Sequence, residues 1–467
     1  MTTEKIKFGT DGWRAIIAKD FTTYNVARVS KGLAIWLKQQ SNNPSVVIGH
    51  DCRFGGSLFT DTALSILCAN GIKVFRASGF VSTPMISFCV LHFKAAQGVV
   101  ITASHNPADY NGYKLKGAHG GPSSPADIAA VEALIPDEVT IPQESLSDWE
   151  SKGLLEHVDL EKIYIDYLHT KFNFDELNNA PFKLAYDAMY GAGQNVIRKV
   201  LPSAVLLHCE QNPSFNGTAP EPLHRNLQEL SDTMAKTPEL KVGLATDGDA
   251  DRIGLYDEDG KFVDAHHIIL LLIHYLHKYK GLTGKVVVAF SATERIRKMC
   301  EIYGLDFEVT PIGFKYISEK MIHEDVLVGG EESGGIAIKG HIPERDGIFD
   351  GLVLYEFMVQ SGKTLKQLCQ EVYDVVGTFV YERNDLHIKE EQKQRIMKEA
   401  GDGIYTEFDK YKVERVETID GIKYHIDNGG WLMLRASGTE PVLRIYAEGN
   451  SMEETLDMLE KVKERIL

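Results

Sequence analysis

Apolar residues in this chain fall in short unbroken runs separated by longer stretches of mixed polarity, and the runs recur in a three-fold pattern. Ser45-Val46-Val47-Ile48-Gly49, Phe182-Lys183-Leu184-Ala185-Tyr186 and Gly284-Lys285-Val286-Val287-Val288 each open a repeat. A second run comes next in each, at Ile72–Phe75, Ala204–Leu207 and Phe307–Val309. A third comes at Val99–Ile101, Val242–Ala245 and Val326–Val328. Runs this short predict buried strands, and the stretches between them predict helices. Three such units in tandem predict three similar α/β domains with mixed, largely parallel sheets.

From about Tyr373 the texture changes. Strands are predicted at Gly377–Tyr381, Val413–Glu417, Tyr424–Ile426, Trp431–Arg435 and Val442–Tyr446, with helices near Lys389–Ala400 and Met452–Ile466. That pattern predicts an α+β domain at the C-terminus. The expected domains are 1-150, 151-257, 258-372 and 373-467, since 467 residues are too many for one core.

Composition narrows the function. Lys plus Arg (50) against Asp plus Glu (66) leaves a net charge of −16, which argues against nucleic acid or an anionic membrane as partner. A small anionic substrate remains open, because a local Arg/Lys cluster can outweigh the net field. The start lacks an apolar signal region, and the longest apolar run, Ile268–Ile273, is too short to span a bilayer. The six cysteines form no CxxC pair and read as reduced thiols of a cytoplasmic protein.

The loop after each third strand carries the chemistry. In open α/β sheets, ligands bind beyond the carboxyl ends of the strands, so three loops there predict three walls of one cleft. The first, Thr102-Ala103-Ser104-His105-Asn106-Pro107, sets Ser104 on a tight, exposed turn beside the His105 imidazole, able to carry a phosphoryl group. The second, Thr246-Asp247-Gly248-Asp249-Ala250-Asp251-Arg252, converges three carboxylates on one hard cation, and oxygen-only ligation suits Mg2+. An EF-hand is excluded, because Arg252 occupies the sixth position where that loop needs Gly, and the flanks read as strands.

The third loop, Gly329–Gly335, offers Glu331 and Ser333 to sugar hydroxyls. Lys114, ten residues past Ser104 on the same loop, is predicted to return over the site, where desolvation makes it an acid/base candidate. Arg14 ends an early Gly-rich loop as a phosphate fork, and Lys315 lies at another strand end. In the C-terminal domain, Arg435, Ser437, Gly438 and Thr439, flanked by Arg444, form a constellation that grips a phosphate without reacting with it.

The set FGTDGWR, TASHNP, DGDADR, GEESGG and RASGTEP, in this order, resembles the α-D-phosphohexomutase superfamily over essentially the whole chain. The resemblance implies a heart-shaped four-domain fold around a central cleft. It implies that Ser104 carries a phosphoryl group and that Asp247, Asp249 and Asp251, with Ser104, hold Mg2+. By the same likeness Glu331, Ser333, Arg252 and Lys315 contact the sugar phosphate, Lys114, Arg14 and His105 assist transfer, and the Arg435–Thr439 loop with Arg444 binds the non-reacting phosphate. One departure stands out: Gly335 occupies the place where dual-specificity and glucosamine members often carry His. GEES is more similar to phosphoglucomutases.

The expected activity is therefore interconversion of glucose 1-phosphate and glucose 6-phosphate through glucose 1,6-bisphosphate, by a monomer or homodimer. Phosphomannomutase or dual specificity is the alternative, phosphoglucosamine mutase a weaker one, and a metal-dependent sugar phosphatase the rival from another class.

Overall fold

The computed structural model describes residues 5–9, 11–436 and 442–467. The first repeat builds a six-stranded mixed sheet from β1 (Trp13–Ile16), β2 (Ser45–His50), β3 (Lys73–Ala77), β4 (Gln97–Ile101), β5 (Tyr110–Gly117) and β6 (Leu155–Val158), in the order β1-β5-β4-β2-β3-β6. β2 runs parallel to β3 and β4, and β3 parallel to β6, while β5 is antiparallel to both β4 and β1. All five residues of β4 are buried, Gly98–Ile101 as its apolar run requires and Gln97 with its Nε2 donating to Ser123 Oγ at 2.6 Å. Val29 and Leu33 of the helix Thr23–Gln40 and Phe59 and Leu64 of Gly56–Ala69 pack with Val46, Ile48, Val99 and Ile101 in one core.

The second repeat gives β7 (Lys183–Asp187), β8 (Val205–Leu207), β9 (Leu240–Thr246), β10 (Ile253–Tyr256) and β11 (Phe262–Val263), in the order β11-β10-β9-β7-β8. β7 is parallel to β8 and β9, and β10 is antiparallel to β9. The third repeat supplies β12 (Lys285–Ala289), β13 (Phe307–Thr310), β14 (Val326–Gly330) and β15 (Ile336–Ile338), with β15 antiparallel to β14.

Each candidate loop thus joins the third strand of its repeat to an antiparallel neighbour: β4 to β5, β9 to β10, β14 to β15. A short turn can make only that kind of connection, since a parallel return needs a long crossover. This corrects the expectation for Lys114. It lies on β5, opposite Val100 of β4, and not on the serine loop.

The last part of the chain folds as a six-stranded antiparallel sheet of β16 (Val380–His387), β17 (Glu407–Phe408), β18 (Tyr411–Glu417), β19 (Ile422–Ile426), β20 (Trp431–Ala436) and β21 (Val442–Gly449), ordered β16-β21-β20-β19-β18-β17. Ile396 of the helix Glu390–Gly401 and Met458 and Val462 of Met452–Ile466 pack with Leu432, Leu434 and Ile445 of the strands.

Two compact units result. One comprises the described residues up to Val286 together with Gly313–Cys369, and the other comprises Val287–Ile312 and Gln370–Leu467. Within the second unit, Phe290 shares a small core with Trp431, Met433 and Tyr446. The buried Lys423 ammonium lies 4.2 Å from the Trp431 ring centre and donates to the Ala292 carbonyl at 3.3 Å. All six cysteines are free and buried. Among the described residues no helix is long and apolar enough to cross a membrane.

Candidate active site

Ser104 sits at the turn after β4 with φ +53°, a left-handed conformation that non-glycine residues adopt only where their surroundings hold them. Its N–H donates to Thr102 Oγ1 at 2.8 Å, and its hydroxyl donates to Asp247 Oδ2 at 2.7 Å. His105 Nδ1 stands 3.3 Å from Ser104 Oγ. The turn was expected to be exposed, yet Ser104 is 1% exposed. The metal-type loop covers it: a Cβ on Gly248 would lie 2.5 Å from the Ser104 carbonyl oxygen, so the contact requires glycine there.

Asp247, Asp249 and Asp251 are all fully buried, and one oxygen from each can be chosen so that the three lie within 4.8 Å of one another. Ala250 between them has φ +56°, which turns the loop tightly enough to bring all three carboxylates inward. Asp247 Oδ1 accepts the N–H groups of Asp251 and Arg252 at 3.0 and 3.1 Å. Asp249 Oδ2 accepts from Thr83 Oγ1 at 2.5 Å and Lys114 Nζ at 2.8 Å, and Asp251 Oδ2 from Lys114 Nζ at 3.0 Å. The remaining oxygens, Asp249 Oδ1 and Asp251 Oδ1, are buried without a hydrogen-bond partner. Buried carboxylate oxygens left unpaired are costly, and a hard cation is what would satisfy them. Burial and the charges of Asp249 and Asp251 push the Asp247 carboxyl well above the usual range.

The expected cations converge on this cluster. Burial alone would discharge Lys114, but Asp11, Asp249 and Asp251 outweigh it and raise its pKa. The expectation that desolvation turns Lys114 into a ready proton carrier is therefore corrected: three carboxylates hold it as an ammonium. Arg14, on β1, donates from Nη1 to Asn106 Oδ1 of the serine turn at 2.7 Å. Burial, with Arg252, Arg14 and Lys114 nearby, holds His105 well below its ordinary pKa, so the imidazole is neutral. Arg252 pairs with Glu221 at 3.4 Å.

Three residues of the cluster escaped the sequence reading. Asp11 pairs with Lys114 at 2.9 Å, and Arg345 Nη2 bridges Asp11 at 2.6 Å and Asp251 at 2.7 Å. Thr83, the first residue of the helix Thr83–Phe93, also donates its own N–H to the Asp249 carbonyl, at 3.0 Å.

In the sugar-type loop, Glu331 is nearly buried and accepts from Gly313 N at 2.9 Å; burial, then Glu332, raises its pKa to about 7. The Gly334 carbonyl accepts from Ile253 N at 3.0 Å, which docks this loop on the start of β10. Ser333 lies on the turn, and Lys315 lies in the first turn of the helix Phe314–His323 with its Nζ 5.1 Å from the Tyr316 ring centre. A Cβ on Gly335 would lie 2.5 Å from Arg345 Cδ. The space a side chain at 335 would take is filled by Arg345.

In the second unit, Arg435 and Arg444 stand directly opposite each other on β20 and β21. Arg435 forks onto Asp420 at 3.1 and 3.3 Å, and Arg444 faces Asp385 at 4.0 Å. Ser437, Gly438 and Thr439 lie outside the described residues.

Comparison with known proteins meets this geometry. Family profiles for the phosphoglucomutase/phosphomannomutase α/β/α domains I, II and III match residues 5–140, 162–260 and 264–376, and the C-terminal domain profile matches 388–465. The chain belongs to the phosphoglucomutase/phosphomannomutase family. A phosphoglucomutase/phosphomannomutase of Thermococcus kodakarensis is 28% identical over 97% of this chain and 96% of its own. A probable phosphoglucosamine mutase of Pyrococcus horikoshii is 30% identical over 98% and 97%. The crystal structure of a putative phosphomannomutase from Thermus thermophilus is 32% identical, covers 99% of both chains and superposes with a TM-score of 0.88.

The chain is thus a phosphohexomutase-type enzyme, an intramolecular phosphotransferase of carbohydrate metabolism. The orphaned oxygens of Asp249 and Asp251 make possible a direct test of whether a cation binds this turn. Asp249→Asn should lower affinity for Mg2+ at least tenfold by titration calorimetry, because one ligand charge is lost, on the order of 1.4 kcal/mol or more. Unchanged binding would show that the cation does not use this turn.

Proposed function

We propose that this enzyme interconverts α-D-glucose 1-phosphate and glucose 6-phosphate through a phosphoserine at Ser104 and a glucose 1,6-bisphosphate intermediate. The observation that carries this reading is the 2.7 Å bond from the Ser104 hydroxyl to Asp247 of a buried three-carboxylate turn. A nucleophilic oxygen beside a cation-ready loop is what phosphoryl transfer needs, since that reaction rests on positioning and charge neutralisation.

In the forward step the Ser104 Oγ–P bond breaks as a free sugar hydroxyl forms a new O–P bond. The hydroxyl's proton ends on Ser104 Oγ, which as a free hydroxyl donates to Asp247. The bisphosphate then turns over, and its other phosphoryl group returns to Ser104 with the reverse proton movement. Arg14, Arg252 and Lys114 supply positive charge around the moving group, and neutral His105 lies beside the serine oxygen. Mg2+ held by Asp247, Asp249 and Asp251 would add Lewis-acid neutralisation of the phosphoryl oxygens. Glu331 and Ser333 hold the sugar hydroxyls, and Lys315 adds a cation near them. Six unbridged, buried cysteines suit a cytoplasmic setting.

Glucose is assigned from the likeness of the loop sequence Gly330-Glu331-Glu332-Ser333 to that of phosphoglucomutases, and the chemistry of the loop sets how sharp the choice is. Glu331, held by the Gly313 N–H in a glycine-rich loop, accepts from two adjacent equatorial hydroxyls, and both orientations of the bisphosphate must use that contact. Hydroxyls 3 and 4 then serve as the handles, so discrimination at carbon 2 is modest, about 1–3 kcal/mol. A coupled assay should rank glucose 1-phosphate first, mannose 1-phosphate second and glucosamine 1-phosphate last. Equal or higher kcat/KM on mannose or glucosamine phosphate would overturn the glucose assignment and leave the mutase standing, whereas phosphate release without isomerisation would indicate a phosphatase.

Arg435 and Arg444 are assigned to the non-reacting phosphate, because two guanidiniums on paired strands match a dianion. Arg435→Ala should raise KM roughly ten- to a hundredfold, the equivalent of losing a charge-assisted contact of about 1.5–3 kcal/mol. Unchanged KM and kcat would remove Arg435 from the site.

A further inference from the structure

Arg53 is a buried arginine that the reaction as described does not use. It lies just past β2 in the stretch Asp51-Cys52-Arg53 and is 3% exposed. Its guanidinium grips the backbone of the serine turn and little else. Nη2 donates to the carbonyls of Ser104 and Asn106, both at 2.6 Å, and Nη1 to those of Pro107 at 2.7 Å and Tyr110 at 3.1 Å. Nε faces Asp51 Oδ2 at 3.2 Å, and the Phe215 ring, from the second repeat, covers the guanidinium at 4.9 Å.

Asp51 holds the other side of the same residue. Its Oδ2 accepts from Thr102 Oγ1 at 2.6 Å, and Thr102 Oγ1 accepts the Ser104 N–H at 2.8 Å. One ion pair therefore fixes both peptide groups of Ser104: the carbonyl through Arg53, the N–H through Thr102 and Asp51. Ser104 has φ +53°, a conformation that persists only when its neighbours over-determine it.

We propose that Arg53 is a positioning residue for phosphoryl transfer, holding the Ser104 backbone in its left-handed conformation so that Oγ is aimed at Asp247. The proposal rests on the reading of Ser104 as the phosphoryl carrier. Arg53 touches no reacting atom. What it contributes is the planar fork: several donors fixed in one plane can reach four carbonyls at once, which the single ammonium of lysine cannot. Because transfer demands in-line geometry, a small displacement of Oγ lowers turnover steeply while leaving sugar binding to other loops.

The test uses the full-length enzyme and the variants Arg53→Lys and Thr102→Val. Arg53→Lys keeps the charge and loses the fork; Thr102→Val keeps the volume and loses the acceptor for the Ser104 N–H. Phosphorylation of Ser104 by glucose 1,6-bisphosphate is followed by intact mass on the time scale of one turnover, beside kcat, KM and thermal unfolding. In both variants the phosphorylation rate and kcat should fall roughly 10- to 100-fold with KM within about threefold, in protein that still unfolds cooperatively. Wild-type kcat in the folded variants, or a loss that only tracks the unfolded fraction, overturns the proposal; if Arg53→Lys does not fold, wild-type kcat in Thr102→Val overturns it alone. A wild-type protein that takes no phosphoryl group on Ser104 overturns the assigned function and the proposal with it, whereas an active wild type with unchanged variants overturns only the positioning role.

Discussion

The Asp247, Asp249 and Asp251 carboxylates are buried together within one turn, a concentration of negative charge that a low-dielectric interior tolerates only when cations answer it. Lys114 and Arg345 supply two of them, both also paired to Asp11. This pairing explains why a lysine lies fully buried on a central strand and why an arginine from beyond β15 reaches across the loop after β9. It also leaves two carboxylate oxygens unpaired, which is the opening for a divalent ion. In the proposed reaction, stabilisation and catalysis draw on the same charges.

Around that cluster the first unit is knitted by close backbone approaches. Gly248 packs on the Ser104 carbonyl, Gly334 on the Ile253 carbonyl, and Gly347 donates to the Ala250 carbonyl at 3.1 Å. Each repeat thus contributes one turn at the same place in its sheet, and the turns hold one another. Residues from three separate repeats are brought together because their loops touch directly.

The serine turn and the Asp loop were legible in the sequence because each packs its chemistry into a few consecutive residues after an apolar strand. The three-fold strand pattern was legible for the same reason. The setting of Lys114 was not. Its burial was foreseeable, but the sign of its pKa shift depends on Asp11, Asp249 and Asp251, which only folding brings to it. Ser104 was expected to be exposed because its own residues make a turn; what buries it is Gly248, far along the chain. Arg345, Thr83 and Arg53 stand alone in their local sequence and carry no pattern. The one available signal was Gly335, whose missing side chain leaves a space that Arg345 fills.

The central claim is that Ser104 is the phosphoryl carrier. Wild-type protein and Ser104→Ala, each incubated with glucose 1,6-bisphosphate and Mg2+, can be compared by intact mass and peptide fragmentation. The account predicts one added phosphoryl group on Ser104 in the wild type, removed by glucose 1-phosphate, and none in Ser104→Ala. A modification elsewhere, or mutase activity retained at the wild-type level in Ser104→Ala, would contradict it.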